Sequence, residues 1–463
     1  MYQIITKFFK SLGIDLRGSK QGLRDIAVSV VPQLIGVLSG LTCSILIARG
    51  LGPAGLGNYA LIMSYIAIAG MFSNLGLGET AIRYTSLAVA NNDLPWQSAV
   101  LQWALKLRML MAVLAALILA LLAPYITNQF WHNKDLSVYI YVALIGGIFV
   151  PLSAVPTIYF QSIRKFSTNS IITSGQRIIG LLGILILSLF NMWQLMYVIL
   201  STLIATIIGA LAFILTVPKD IIFGRNDNVQ PSTGKLISFI KCPDSSIGKR
   251  NHGENTSQFA AFQMTLTIVV MLTAQVDIWL MGFFLNSEQI GIYSAATRFT
   301  LPFAVLIATL NTVLWPRASA CVTSKSKLDL MNKTFKLCFV LTFFGIIYSY
   351  FAPLSTAFFF GESYSEGVLL AQLLCARQCI LLFYCSISLV GYSLGMIKHY
   401  VWIALVCFFV LIQCNIILLP VIGFYGAAVG LIVSEILQLL LGGTLIYFKY
   451  KNLKREVSLG YTQ

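Results

Sequence analysis

The stretch "ARGLGPAGLGNYALIMSY", residues 48–65, sets four glycines, one proline and a single charge between two long apolar runs. Glycine and proline at this density stop a helix and turn the chain. Each flanking run, roughly 26–48 and 59–82, is long enough to cross the hydrocarbon core, which takes about 20 apolar residues as a helix. The stretch therefore reads as a tight hairpin between two membrane spans.

The same reading extends outward over the chain. Of 463 residues 58% are hydrophobic and 10% charged, against about 25% charged in soluble domains. Ten further apolar segments lie near 103–124, 137–160, 171–191, 193–217, 259–285, 290–316, 335–360, 367–394, 401–422 and 424–448. Lipid admits only helices or closed barrels, and the short alternating strands of a barrel are absent. The expected fold is an all-α polytopic membrane protein of about 12 transmembrane helices.

Positive charge gives the orientation, because short loops rich in Lys and Arg stay in the cytoplasm. With the N-terminus inside, cytoplasmic segments hold 26 of the 31 basic residues, and the opposite loops hold only Arg49 and Lys134. Both termini are thus expected inside. The net charge of +15 is then accounted for by topology and by attraction to an anionic inner leaflet, so no nucleic-acid partner is implied. The first apolar run is too long for the core of a cleavable signal peptide. Ahead of it, residues 1–25 read either as an interfacial helix, with Ile4, Ile5, Phe8, Phe9 and Leu12 opposite Lys7 and Lys10, or as a cytosolic tail. The nine cysteines fall mostly inside spans, where a thiol acts as a small hydrophobe, and neither a disulfide framework nor a metal site is expected.

The chain also matches itself. "LGPAGLGNYA" (51–60) aligns with "LNSEQIGIYS" (285–294), pairing Gly57 with Gly291 and Tyr59 with Tyr293 at an offset of 234. Arg83 meets Arg317 at that offset, and "YFQSIRK" (159–165) lies over "YSLGMIK" (392–398) at 233. An offset near half the length argues for a duplicated lobe of six helices. An even number of spans per lobe makes the two lobes parallel in the membrane. The expected organisation is a cytoplasmic segment 1–25, an N-lobe 26–217, a cytoplasmic linker 218–258, a C-lobe 259–448 and a basic tail 449–463. The linker contains "QPSTGK" (230–235), but Val229 stands where a phosphate-binding loop needs glycine and no strand precedes it.

The opening stretch, together with "NLGLGETAIRY" (74–84) and "LLPVIGFYGAAVGLIVSEI" (418–436), is similar to the signatures of polysaccharide repeat-unit flippases. These belong to the multidrug/oligosaccharidyl-lipid/polysaccharide exporter superfamily. The resemblance implies two six-helix lobes around a central cavity with alternating access. It implies, as cargo, an isoprenoid-diphosphate-linked oligosaccharide moved across a bacterial inner (plasma) membrane for O-antigen and lipopolysaccharide, capsule or exopolysaccharide. Membrane lipids, a coupling ion (H⁺ or Na⁺), a polysaccharide polymerase and chain-length machinery are the partners that go with it.

Ionisable residues inside spans are costly and are functional candidates by default. They are Glu79, Arg177, Asp277, Arg298, Arg377 and Glu435. Asp277 and Arg298 both sit about 12 Å below the outer end of their shared hairpin and are within reach of each other. One reading is a pair that only neutralises two charges; the other has Arg298 contact a diphosphate while Asp277 holds or exchanges it. Arg377 and Glu435 lie at similar depth near the midplane and present the same choice. A guanidinium fork suits a diphosphate, which makes Arg298 and Arg377 the candidate substrate contacts. Asp277, Glu79 and Glu435 are the candidates for gating or ion coupling. Arg177 lies near enough to the inner surface to snorkel and has no assigned role.

Catalysis finds no support. His132, His252 and His399 fall in separate loops, and neither a metalloprotease nor a hydrolase motif occurs. Without cofactor or nucleotide site, transport is favoured over a membrane glycan polymerase or acyltransferase. A drug/cation antiporter of the same superfamily is the alternative within transport.

Overall fold

The computed structural model describes residues 20–75, 77–163, 165–218, 256–308, 310, 324–393 and 396–458, with some side chains inside those ranges left out, those of 20–33, Glu79 and Arg83 among them. The expected leader, most of the linker, Arg317 and the side chain of Tyr392 lie outside the described residues.

The described chain is helical. In order the helices are α1 (Lys20–Asn74), α2 (Leu77–Ala90), α3 (Leu94–Tyr125), α4 (Leu136–Ser162), α5 (Phe166–Leu189), α6 (Leu195–Thr216), α7 (Thr256–Phe284), α8 (Ser287–Thr297), α9 (Ser324–Phe351), α10 (Thr356–Phe360), α11 (Gly367–Ser393), α12 (Ile397–Ile422) and α13 (Phe424–Ser458). Among the described residues, 11 helical stretches are long and apolar enough to cross a membrane. The first of them, Leu34–Asn74, has 41 residues, about 60 Å of helix at 1.5 Å per residue. That is twice the hydrocarbon thickness, and non-helical backbone at Gly52 (φ 69, ψ 178) divides it. Twelve crossings result. Large apolar side chains point outward, with Leu121 and Leu189 each 82% exposed. Water would penalise such a surface, whereas lipid solvates it.

Two boundaries differ from the hydropathy reading. The second span ends at Asn74 rather than near 82, because Leu75 takes a positive φ of 33° and a separate α2 begins at Leu77. The third helix starts at Leu94, well before 103. Asp93 caps it by accepting from the Trp96 backbone N–H at 3.0 Å, and Pro95 occupies the first turn, where its missing N–H is harmless. Lys106 and Arg108 therefore lie inside a helix, and Arg108 is only 8% exposed.

The chain divides into two compact units. The first comprises Arg24–Leu51 and Asn58–Gln275. In it α3 packs on α4 and α2, while α6 packs on α4 and α5. Ala81, Ala88, Ala104, Val100, Leu101, Val155 and Ile158 form the core, where small side chains let helices approach closely. Tyr65, fully buried, donates its hydroxyl to the Leu119 carbonyl at 2.6 Å and meets Trp131 edge-on.

The second unit comprises Val276–Gln463 together with the segment Gly52–Gly57, which begins at the break and enters the second half of α1. Here α9 and α13 pack on α11, and α12 packs on α13. The turn from the opening stretch meets the start of α8 backbone to backbone. A Cβ added to Gly57 would lie 1.7 Å from the Ser287 carbonyl oxygen, and one on Gly291 would lie 1.9 Å from that of Pro53. Only glycine fits at either position. The repeat offset of 234 converts Pro53 to Ser287 and Gly57 to Gly291, so each contact is the image of the other.

Candidate functional site

The second unit buries an ionic cluster. Asp277, near the end of α7, is 5% exposed. One of its carboxylate oxygens accepts from Asn415 Nδ2 at 2.8 Å and the other from the Tyr293 hydroxyl at 3.1 Å. Arg377, on α11, lies near enough to act electrostatically on Asp277. Its own bond goes to α13, where Nη2 donates to Glu435 Oε1 at 2.6 Å. Five helices, α7, α8, α11, α12 and α13, thus meet through five polar side chains.

Charge and bonding in this cluster are both incomplete. Two carboxylates face one guanidinium, a formal surplus of one negative charge when all are ionised. Among the described residues, Arg377 Nε, Glu435 Oε2 and Asn415 Oδ1 are buried without a hydrogen-bond partner. Buried polar atoms are nearly always partnered, and a low dielectric makes uncompensated charge costly. An arrangement of this kind can take up a proton or a small cation, or release the guanidinium to an anion.

The structure brings Arg377 and Glu435 together and places Asp277 beside them. Among the described residues, Asp277 is held by Tyr293 and Asn415 rather than by Arg298. Arg298 begins a short 3-10 turn, Arg298–Thr300, and is partly exposed. Arg177 is exposed on α5. The side chain of Glu79, on α2, lies outside the described residues. Sequence reasoning passed over Asn415, a neutral polar residue within "VLIQCNIILL" (410–419), and used Tyr293 only as a repeat anchor.

The offsets of the sequence repeat give the cluster no matching charges in the first half of the sequence. At the repeat offsets, Asp277 corresponds to Cys43, Arg377 to Leu144, Asn415 to Leu182 and Glu435 to Thr202. Only Tyr293 keeps its match, Tyr59.

Comparison with known proteins follows the same lines. A family model described as "Polysaccharide biosynthesis protein" matches residues 23–322. Among curated protein sequences none matches significantly. An inward-facing multidrug resistance MATE family transporter of the MOP superfamily resembles the fold with a TM-score of 0.68 at 14% identity, over 93% of this chain and 99% of that one. The lipid II flippase MurJ, in an inward closed conformation, gives 0.66 at 15% identity over 91% of this chain and 87% of its own. The MATE multidrug transporter DinF-BH gives 0.61 at 15% identity, over 92% and 94%.

Proposed function

We propose a function from one premise: the chain belongs to the polysaccharide biosynthesis protein family. On a transporter-like membrane fold, that membership supports a flippase for an isoprenoid-diphosphate-linked oligosaccharide repeat unit. The unit would cross a bacterial inner membrane by alternating access and feed O-antigen, capsule or exopolysaccharide assembly, handing its cargo to a polymerase and chain-length machinery. Both termini are assigned to the cytoplasm. The observation that carries this reading is the family match over residues 23–322 of a chain with twelve crossings.

In this scheme Arg298 and Arg377 contact the diphosphate, while Asp277, Glu435 and Glu79 serve gating or ion coupling. The cluster supports that division, because protonation or Na⁺ binding at Asp277 or Glu435 would offset the surplus negative charge and loosen the hold on Arg377. The same surplus favours a second reading, a drug/cation antiporter.

The test is complementation of a bacterium lacking its own repeat-unit flippase. Surface glycan should return, and lipid-linked repeat units should cease to accumulate at the inner leaflet. Restored resistance to cationic drugs without restored glycan would overturn the flippase reading.

A further inference from the structure

The two carboxylates of the ionic cluster are held by partners of different kinds. Glu435 Oε1 accepts from Arg377 Nη2 at 2.6 Å, and a guanidinium has hydrogens to give but no lone pair to offer. That bond asks for an ionised carboxylate. Asp277 accepts instead from the Asn415 amide at 2.8 Å and from the Tyr293 hydroxyl at 3.1 Å. Each of these groups owns a lone pair as well as a hydrogen, so each can reverse the direction of its bond. An ionised Asp277 is satisfied as an acceptor and a protonated one as a donor. We propose that Asp277 carries a proton rather than a metal cation, and that the Asn415 amide turns over to accept its hydrogen.

The unused oxygen of Asn415 supports the turn. Asn415 is fully buried, and among the described residues its Oδ1 has no hydrogen-bond partner. That oxygen faces Gly430 on α13, where an added Cβ would stand 2.6 Å away. A buried acceptor left without a donor is costly. Half a turn about the Cβ–Cγ bond exchanges Oδ1 with the NH₂ and brings the unpartnered oxygen onto Asp277. There it meets the hydrogen of a protonated carboxyl group. The missing side chain at Gly430 leaves space for the amide group that takes its place.

Charge selects the protonation. Tyr293 of α8, Arg377 of α11 and the neutral Asn415 of α12 face Asp277, and Glu435 of α13 stands behind Arg377. With both carboxylates ionised the cluster has a net charge of minus one. A hydronium ion gives its proton to one Asp277 oxygen, an O–H bond forms, water is left, and the cluster becomes neutral. Release runs the same step backwards. Sodium would cancel the charge equally, but hard cations gather roughly six or more oxygens. Besides its own carboxylate, the described partners of Asp277 offer only the Asn415 amide oxygen and the Tyr293 hydroxyl. A proton needs one acceptor.

The role of this proton rests on the flippase reading above. With Asp277 protonated, Arg377 is balanced by Glu435 alone; with Asp277 ionised, a second carboxylate attracts it. Proton uptake therefore frees Arg377 for an anion, and by reciprocity an anion on Arg377 favours proton uptake.

The experiment uses the full chain in vesicles of phosphatidylethanolamine and phosphatidylglycerol, with infrared difference spectra recorded on acidification. Protein made with aspartate, glutamate or asparagine isotopically labelled at the side-chain carbonyl carbon assigns each band. A protonated-carboxyl band should grow, shift with labelled aspartate but not with labelled glutamate, and vanish in Asp277→Asn. In step with it, an asparagine side-chain carbonyl band should move to lower frequency as Oδ1 gains a hydrogen, a movement absent from Asn415→Leu. Exchange of K⁺ for Na⁺ at constant pH should leave the carboxyl band unchanged. Should Asp277→Asn not insert, a displaced aspartate band in Asn415→Leu makes the assignment. A carboxyl band that follows labelled glutamate, or that survives in inserted Asp277→Asn, overturns the site. An asparagine band that stays in place overturns the turning amide, and suppression of the carboxyl band by Na⁺ gives the site to the metal. In the complementation assay Asp277→Asn should lower glycan export tenfold or more at normal protein level; full export would remove the coupling role. The spectra need no cargo, so the two readings separate. Glycan restored by a wild-type protein without the aspartate band would remove the proton site alone, and the band without glycan export would remove the flippase reading alone.

Discussion

A guanidinium buried within a membrane bundle needs a partner, and Arg377 finds one in a single carboxylate oxygen of Glu435. Removing either side chain leaves the other charge uncompensated, a penalty of about 3–5 kcal/mol in buried pairs. Arg377→Ala and Glu435→Ala should each reduce the amount of inserted protein, while the double variant recovers it; export measured alongside separates scaffold from cargo contact. If Arg377 is a cargo contact, the well-inserted double variant still exports no glycan. Normal export from it would confine the pair to structure. For Arg298 the expectation is different: Arg298→Ala abolishes export at normal protein level, and Arg298→Lys recovers part, since a point charge replaces a fork. Full glycan in a well-expressed Arg298→Ala strain would sink the diphosphate assignment. Counting residues from the helix ends made the Arg377–Glu435 pair legible, because both sit at one depth. The same count set Asp277 near Arg298, yet its oxygens go to Tyr293 and Asn415. Depth along a helix follows from sequence position, whereas direction around its axis depends on packing. A lone Asn among aliphatic residues also gives a weaker signal than a charge.

The helices themselves were legible as apolar runs, since lipid demands length and hydropathy and little else. Their interruptions were harder to see, because a break is a local backbone event with no effect on mean hydropathy. Leu75, at φ 33°, ends the second crossing inside an apolar stretch. The start of α3 carried a readable sign, Asp93 followed by Pro95, that hydropathy alone ignores. The glycine stretch was legible as an interruption, which the structure places at Gly52, but not as a packing surface. Its contact with α8 was visible only as the alignment of Gly57 on Gly291, two residues that prove to share one interface. A methyl group at either position would strike backbone, which cannot swing aside as a side chain does. Gly57→Ala and Gly291→Ala should each lower stability by about 1–3 kcal/mol, the usual cost of overpacking, read as a reduced melting temperature in detergent. Gly40→Ala is the control, because nothing lies within 4 Å of the added Cβ. Equal melting of all three variants and the wild type would show that the backbone contact gives way freely.

Orientation unites these elements, since the proposed loading from the inner leaflet and the proposed direction of export both depend on which end faces the cytoplasm. The assignment rests on the sequence reading, in which 26 of 31 basic residues fall on one side, a bias that stays large without Lys106 and Arg108, which the structure sets inside α3. It requires the glycine turn and the start of α8 to face outward and the 218–258 segment to face inward. In a cysteine-free background, Ala54→Cys and Glu288→Cys are suitable reporters, because both positions are exposed and neither belongs to the glycine contact. A membrane-impermeant maleimide added to intact cells should label both. Lys241→Cys, within the long basic segment, should react only after the membrane is permeabilised. The two groups of positions are separated by complete crossings, so an error in a helix boundary of several residues does not alter the outcome. Labelling of Lys241→Cys in intact cells, with Ala54→Cys and Glu288→Cys protected, would invert the molecule.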